Sequence, residues 1–194
     1  CADAFAIDLA GGDTTRGPLT LSVTIVGEVP AGAAITRGGA RAGDDLWISG
    51  QPGRAALGLA ALRGETGLDA IHHAEFVDAL QRPQPRVALG LALRSLASAM
   101  LDVSDGLLGD LRHLLECSGT GAIVEVAALP LAALAASGAD PALCRRCLLA
   151  GGDDYELLFA AAPRHRAEID ALSARLDLPL HRIGEFPPAR ERLL

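Results

Sequence analysis

The chain contains no lysine, because all 17 of its basic residues are arginine. That absence removes Schiff-base chemistry, a lysine general base and a Walker-type phosphate loop. Any phosphate must then be held by arginine, backbone amides or metal ions. Aromatic residues are scarce at 3%, so Ala and Leu supply most of the apolar volume. No apolar run reaches the roughly 20 residues that a membrane-spanning helix needs. A basic stripe is missing too, and the formal net charge is −7, which argues against a nucleic-acid partner. Anionic substrates fit such a chain only where divalent cations mediate. No Ser/His/Asp order carries a nucleophile-elbow signature, so no covalent catalytic nucleophile is expected. The chain opens at Cys1, without Met and without a basic segment leading into an apolar one; it is expected to carry no signal peptide and to be truncated.

What is present is a chain half hydrophobic over 194 residues, enough for one sizeable domain or a domain plus part of another. Cys144 and Cys147 have CxxC spacing, but no second pair or nearby His completes a zinc site. They fall in a stretch that reads as helix, where two such residues share a face. Reduced thiols in a cytoplasmic protein are the expectation.

Leu19, Leu21, Val23 and Ile25 alternate strictly with Thr20, Ser22 and Thr24, the plainest strand pattern in the chain. Strands are also expected at residues 45–49, 99–103, 121–126, 155–159 and 180–183. Helices are expected at 53–63, 71–82, 87–97, from Leu107 to about Ser118, 131–137, 141–150 and 164–176. This order predicts an α+β fold, an α/β sandwich with a mixed β-sheet covered by helices.

Three Gly/Asp clusters and one arginine loop carry the chemistry. Between Leu101 and Leu111, Asp102 and Asp105 stand three residues apart with Ser104 between them, where an apolar run gives way to a helix. Two hard oxygen donors beside free amides at a helix N-terminus suit a magnesium–phosphate complex. An ordinary helix cap explains the same residues, and the segment alone leaves both readings open. Residues 11–17 join paired glycines to Asp13 and two threonines; a metal-binding approach and a Gly-rich turn are both open. Residues 151–156 place Asp153 and Asp154 just before a strand, as ligands or as turn chemistry. Arg37, followed by Gly38 and Gly39, is free to reach a phosphate or is a solvated loop residue.

Together the stretches 11–30, 37–59, 101–122 and 149–159, which include GGDTT, DVSDGL and GGDDYELLF, resemble the thiamine-monophosphate kinase family. That family lies in a superfamily with aminoimidazole ribonucleotide and selenophosphate synthetases. The resemblance implies ATP-dependent phosphorylation of thiamine monophosphate to thiamine diphosphate by direct in-line transfer, assisted by Mg²⁺. By the same resemblance Asp13, Asp102 and Asp105 are Mg²⁺ ligands. Gly12, Asp13, Arg37 and Ser104 meet ATP, and Asp153 faces the thiamine substrate, where the family usually has the longer Glu. Residues 1–29 correspond to a remnant of an N-terminal ATP/Mg-binding domain, and 30–194 to a C-terminal domain whose own end is incomplete. The family's early Asp-Asp motif has no counterpart here, so activity of this fragment alone is in question. Two other readings stay open: a different ATP-using superfamily member, or a non-catalytic nucleotide-binding fragment. A family-type homodimer is not assigned to this chain.

Overall fold

Each strand of the central sheet sends alternate side chains to opposite sides, and both sides are covered. The computed structural model describes residues 2–188; Cys1 and residues 189–194, which the expected domains include, lie outside them. The chain forms two units, divided between Pro30 and Ala31.

Among the described residues the second unit holds five strands: β1 (Asp45–Ser49), β2 (Ala97–Val103), β3 (Ile123–Val124), β4 (Glu156–Ala161) and β5 (Leu180–Glu185). They lie in the order β2-β4-β1-β5-β3. Its helices are α1 (Arg54–Leu62), α2 (Ala70–Gln81), α3 (Val87–Ala92), α4 (Leu107–Ser118), α5 (Leu131–Ala135), α6 (Pro141–Ala150) and α7 (Arg166–Leu176). The expected α+β class is borne out. All the strand pairings are antiparallel, a narrower arrangement than the mixed sheet expected.

Leu46 and Ile48 of β1, with Leu158 and Ala160 of β4, face a core that takes in Leu57 of α1, Phe76 of α2, Leu114 of α4 and Leu148 of α6. Trp47 and Phe159 face the other way, onto Leu89 of α3 and Ile169 and Leu172 of α7. β1 is buried along its whole length, as a central strand covered on both faces must be. Asp45, at its start, is 1% exposed and is neutralised by the Arg166 guanidinium through two hydrogen bonds of 2.7 and 2.6 Å.

Residues 2–30 depart from expectation. The segment 19–25 is not a strand: it lies outside every sheet, and Leu19, Leu21, Val23 and Ile25 are 74–94% exposed. Alternation marks a face able to pack, but a strand exists only through a hydrogen-bonded neighbour. Among the described residues this segment has none. Elsewhere the corrections are small. The strand expected over 121–126 shortens to Ile123–Val124, and the helix over 87–97 ends early, in a 3₁₀ turn at Leu93–Ser95. No helix among the described residues is long and apolar enough to cross a membrane.

Candidate active site

β2 runs out at Val103 and α4 begins at Leu107, so Ser104, Asp105 and Gly106 must turn the chain within three residues. Gly106 is the N-cap of α4, with φ +105°, a value that favours glycine. Having no side chain, it leaves the helix without a side-chain cap. The cap reading of Asp102 and Asp105 is therefore overturned. Both are exposed, and neither carboxylate pairs with a cation among the described residues.

Two of the amides expected to be free, those of Ser104 and Asp105, are engaged. Asp110, in the first turn of α4, folds back so that its Oδ2 accepts the Ser104 N–H at 3.1 Å and the Asp105 N–H at 3.0 Å. Asp110 is 3% exposed. Burial pushes its carboxyl above the usual range, the amide of Asp105 opposes that, and the nearby charges of Asp105 and Asp102 push it further up. Asp105 is thus exposed and Ser104 partly so, with their backbone donors already occupied.

On the other side the turn is sealed by residues 152–155. The Asp153 N–H donates to the Ser104 carbonyl and the Tyr155 N–H to the Val103 carbonyl, both at 2.9 Å. Gly152 packs so closely that a Cβ there would stand 2.2 Å from the Ser104 oxygen. Asp153 and Tyr155 take φ of +66° and +53°, unusual for residues with side chains. That conformation separates the adjacent aspartates. Asp153 is exposed. Asp154 turns inward to the start of α1, where its Oδ1 accepts the Ala55 N–H at 3.0 Å and its Oδ2 the Gly53 N–H. Exclusion of water holds the Asp154 carboxyl up at about 6; the two amides oppose this, and Glu156 adds a like charge.

Glu156 begins β4 and is 4% exposed. Arg86 grips it from Nε at 2.8 Å and Nη2 at 2.6 Å, while the Ser49 hydroxyl donates to the same carboxylate. A cavity of about 170 Å³ opens here, lined by Arg54, Arg82, Arg86, Asp154 and Glu156 among others. Its cations are already matched, Arg54 to Glu75, Arg82 to Asp78 and Arg86 to Glu156, so it offers no uncompensated charge to an anion.

Residues 41–192 match the family described as AIR synthase related protein, C-terminal domain. The chain belongs to this AIR synthase related family. Thiamine-monophosphate kinase of Salmonella typhimurium is 41% identical over 183 residues, covering 94% of the chain and 56% of that relative. The solved thiamine-monophosphate kinase of Stenotrophomonas maltophilia superposes with a TM-score of 0.74 at 40% identity, covering 83% of the chain and 52% of the other. A structure described as AaThiL complexed with AMPPCP and TMP gives a TM-score of 0.66 at 28% identity, covering 80% and 48%. The AIR synthase related chain spans about half the length of the curated relatives it matches.

The structure does not gather all the expected site residues. Asp102, Ser104, Asp105 and Asp153 come together where β2 ends and β4 begins. Arg37 stands apart: its carbonyl accepts from Ser118 Oγ at 3.3 Å, at the far end of α4, a 12-residue helix about 18 Å long. Gly12 and Asp13 belong to the first unit and are exposed, and Asp13 Oδ1 accepts the N–H of Thr14 at 2.8 Å. Among the described residues no group of three or more His, Cys, Asp or Glu side chains is gathered to hold a metal alone. Asp110 was legible only as a helix residue; its signal was a carboxylate in the first turn of a helix whose cap is glycine. Cys144 and Cys147 do share one face of α6, inside the core. Burial raises both thiols, Cys147 to about 11, which keeps them protonated and inert.

Proposed function

We propose that the chain is part of a thiamine-monophosphate kinase, which transfers the γ-phosphoryl group of ATP to thiamine monophosphate and forms thiamine diphosphate. The observation that carries this reading is the pair Asp102 and Asp105: exposed, without a cation partner among the described residues, Asp102 near the end of β2 and Asp105 on the turn that follows, which is held from both sides. The named relatives, and the structure described with AMPPCP and TMP, support the choice of substrates.

Phosphoryl transfer asks mainly for positioning and charge neutralisation, so the lack of a nucleophile is no obstacle. The donor chemistry fits Mg²⁺, which takes one or two carboxylates and completes its octahedron with water and phosphate oxygens. Asp102 and Asp105 are the residues that would hold it here; Asp13, in the first unit, is a candidate Mg²⁺ ligand on its own account. Mg²⁺ bound there supplies neutralisation of phosphate charge. The Ser104 hydroxyl meets the nucleotide, and Gly12 lets backbone approach it. Arg37 offers a two-pronged contact to phosphate, and Asp153 accepts from the thiamine substrate. Residues 1–29 are the end of an ATP/Mg-binding domain, residues 30–194 are the second domain, and the setting is cytoplasmic.

The test is the full-length gene product with ATP, Mg²⁺ and thiamine monophosphate, read as thiamine diphosphate by chromatography. Formation that stops on chelation supports the reading. No Mg²⁺-dependent product overturns it, and product with an aminoimidazole or selenium substrate moves the protein to another branch of the superfamily. Because the chain spans about half of its relatives, Mg–ATP binding without turnover identifies a nucleotide-binding module instead.

A further inference from the structure

We propose that Asp110 is a positioning residue for the candidate metal site, its Oδ2 binding the amides of Ser104 and Asp105 together and so fixing where the Asp102 and Asp105 carboxylates point. This rests on the metal-binding reading above.

The turn between β2 and α4 has little else to hold its inner side. Gly106 contributes no side chain, and α4 has no side-chain cap. One oxygen atom of a buried carboxylate receives two successive N–H groups, at 3.1 and 3.0 Å, and two acceptances by one atom lock adjacent peptide planes relative to each other. Asp110 is itself fixed, because its own N–H donates to the Gly106 carbonyl at 2.9 Å, closing the first turn of α4. The helix, buried along Leu107, Leu111 and Leu114, is thereby coupled to the turn. From the opposite side Asp153 donates to the Ser104 carbonyl. With the Ser104 and Asp105 N–H groups and the Ser104 carbonyl engaged, the backbone between Asp102 and Asp105 is held and their side chains keep the remaining freedom. A ligand pair needs such pre-set geometry, since supporting partners outside the ligand shell are worth about 10–100-fold in metal affinity.

The test compares Asp110→Ala and Asp110→Asn in the full-length gene product, with Mn²⁺ as the probe. Mn²⁺ affinity is read by electron paramagnetic resonance, protection of the Ser104 and Asp105 amides by hydrogen exchange, and folding by circular dichroism. Asn keeps an acceptor oxygen and loses the charge; Ala loses both. The expected result is an about tenfold or greater loss of Mn²⁺ affinity in Asp110→Ala, with loss of protection at the two amides. Asp110→Asn should stay within about threefold of wild type. Equal Mn²⁺ affinity in wild type and Asp110→Ala overturns the proposal. So does equal weakening in both variants, which would make the effect one of charge. If Asp110→Ala does not fold, Asp110→Asn decides: near-native affinity with retained protection supports positioning, and a tenfold loss overturns it. A wild-type protein that binds no Mn²⁺ fails the metal reading itself, whatever the amides show.

Discussion

Asp102 and Asp105 lie at the same end of the sheet as Asp154 and Glu156, yet the two acidic pairs do opposite things. The first pair is exposed and pairs with no cation among the described residues; the second is withdrawn from water, with both carboxylates engaged by amides, a hydroxyl or a guanidinium. Asp153 and Asp154 show the same contrast between neighbours in sequence. Backbone conformation, and not acidity, decides which carboxylates are left for a ligand. An acid that is already satisfied stabilises or strains the fold, and one held out by a rigid turn is available to a cation.

The contrast breaks most severely at Glu156. Glu156→Ala removes the acceptor of both Arg86 and Ser49, and stripping one partner from a buried pair costs about 3–5 kcal/mol. Urea unfolding measures it; a loss below about 1 kcal/mol would place Glu156 with the uncommitted acids.

The pH dependence of Asp154 comes next. Its folded value of about 6 lies above its ordinary 3.8, so between those values the folded chain binds more protons than the unfolded one. Stability from this group therefore falls as pH rises from about 4 through about 6 and is flat above, by on the order of 3 kcal/mol. Urea midpoints across that window should show the fall in wild type, and Asp154→Asn should flatten it. An unchanged slope in the variant would assign the titration elsewhere.

The smallest effect on stability is expected at the exposed pair. Asp102→Asn with Asp105→Asn should move the unfolding free energy by no more than about 0.5 kcal/mol while abolishing Mg–ATP binding in calorimetry. Unchanged affinity would remove the distinction between the two acidic pairs.

Legibility from sequence followed the reach of the interaction. β1 was readable as a short apolar run, Leu46 to Ile48, and α6 as a local helical stretch; in the structure Asp140 caps α6 by accepting the Leu143 N–H at 2.8 Å. The position of Asp102 and Asp105 at the join of a strand and a helix was readable for the same reason. The strand expected over 19–25 was the most regular pattern and did not form, since a ladder needs a neighbour that spacing cannot supply. The roles of Asp110 and Asp154 were hidden, because each satisfies amides of a turn or helix start that only the fold brings within reach.

By itself the sequence determined composition and local pattern: arginine in place of lysine throughout, paired aspartates at a strand–helix junction, and the short apolar runs that became the strands. The tertiary structure decided which carboxylates remain open. Hydrogen bonds between distant segments close Asp110, Asp154 and Glu156 against water and leave Asp102 and Asp105 facing it. That division depends on where backbone donors arrive in space, which no local pattern of residues encodes.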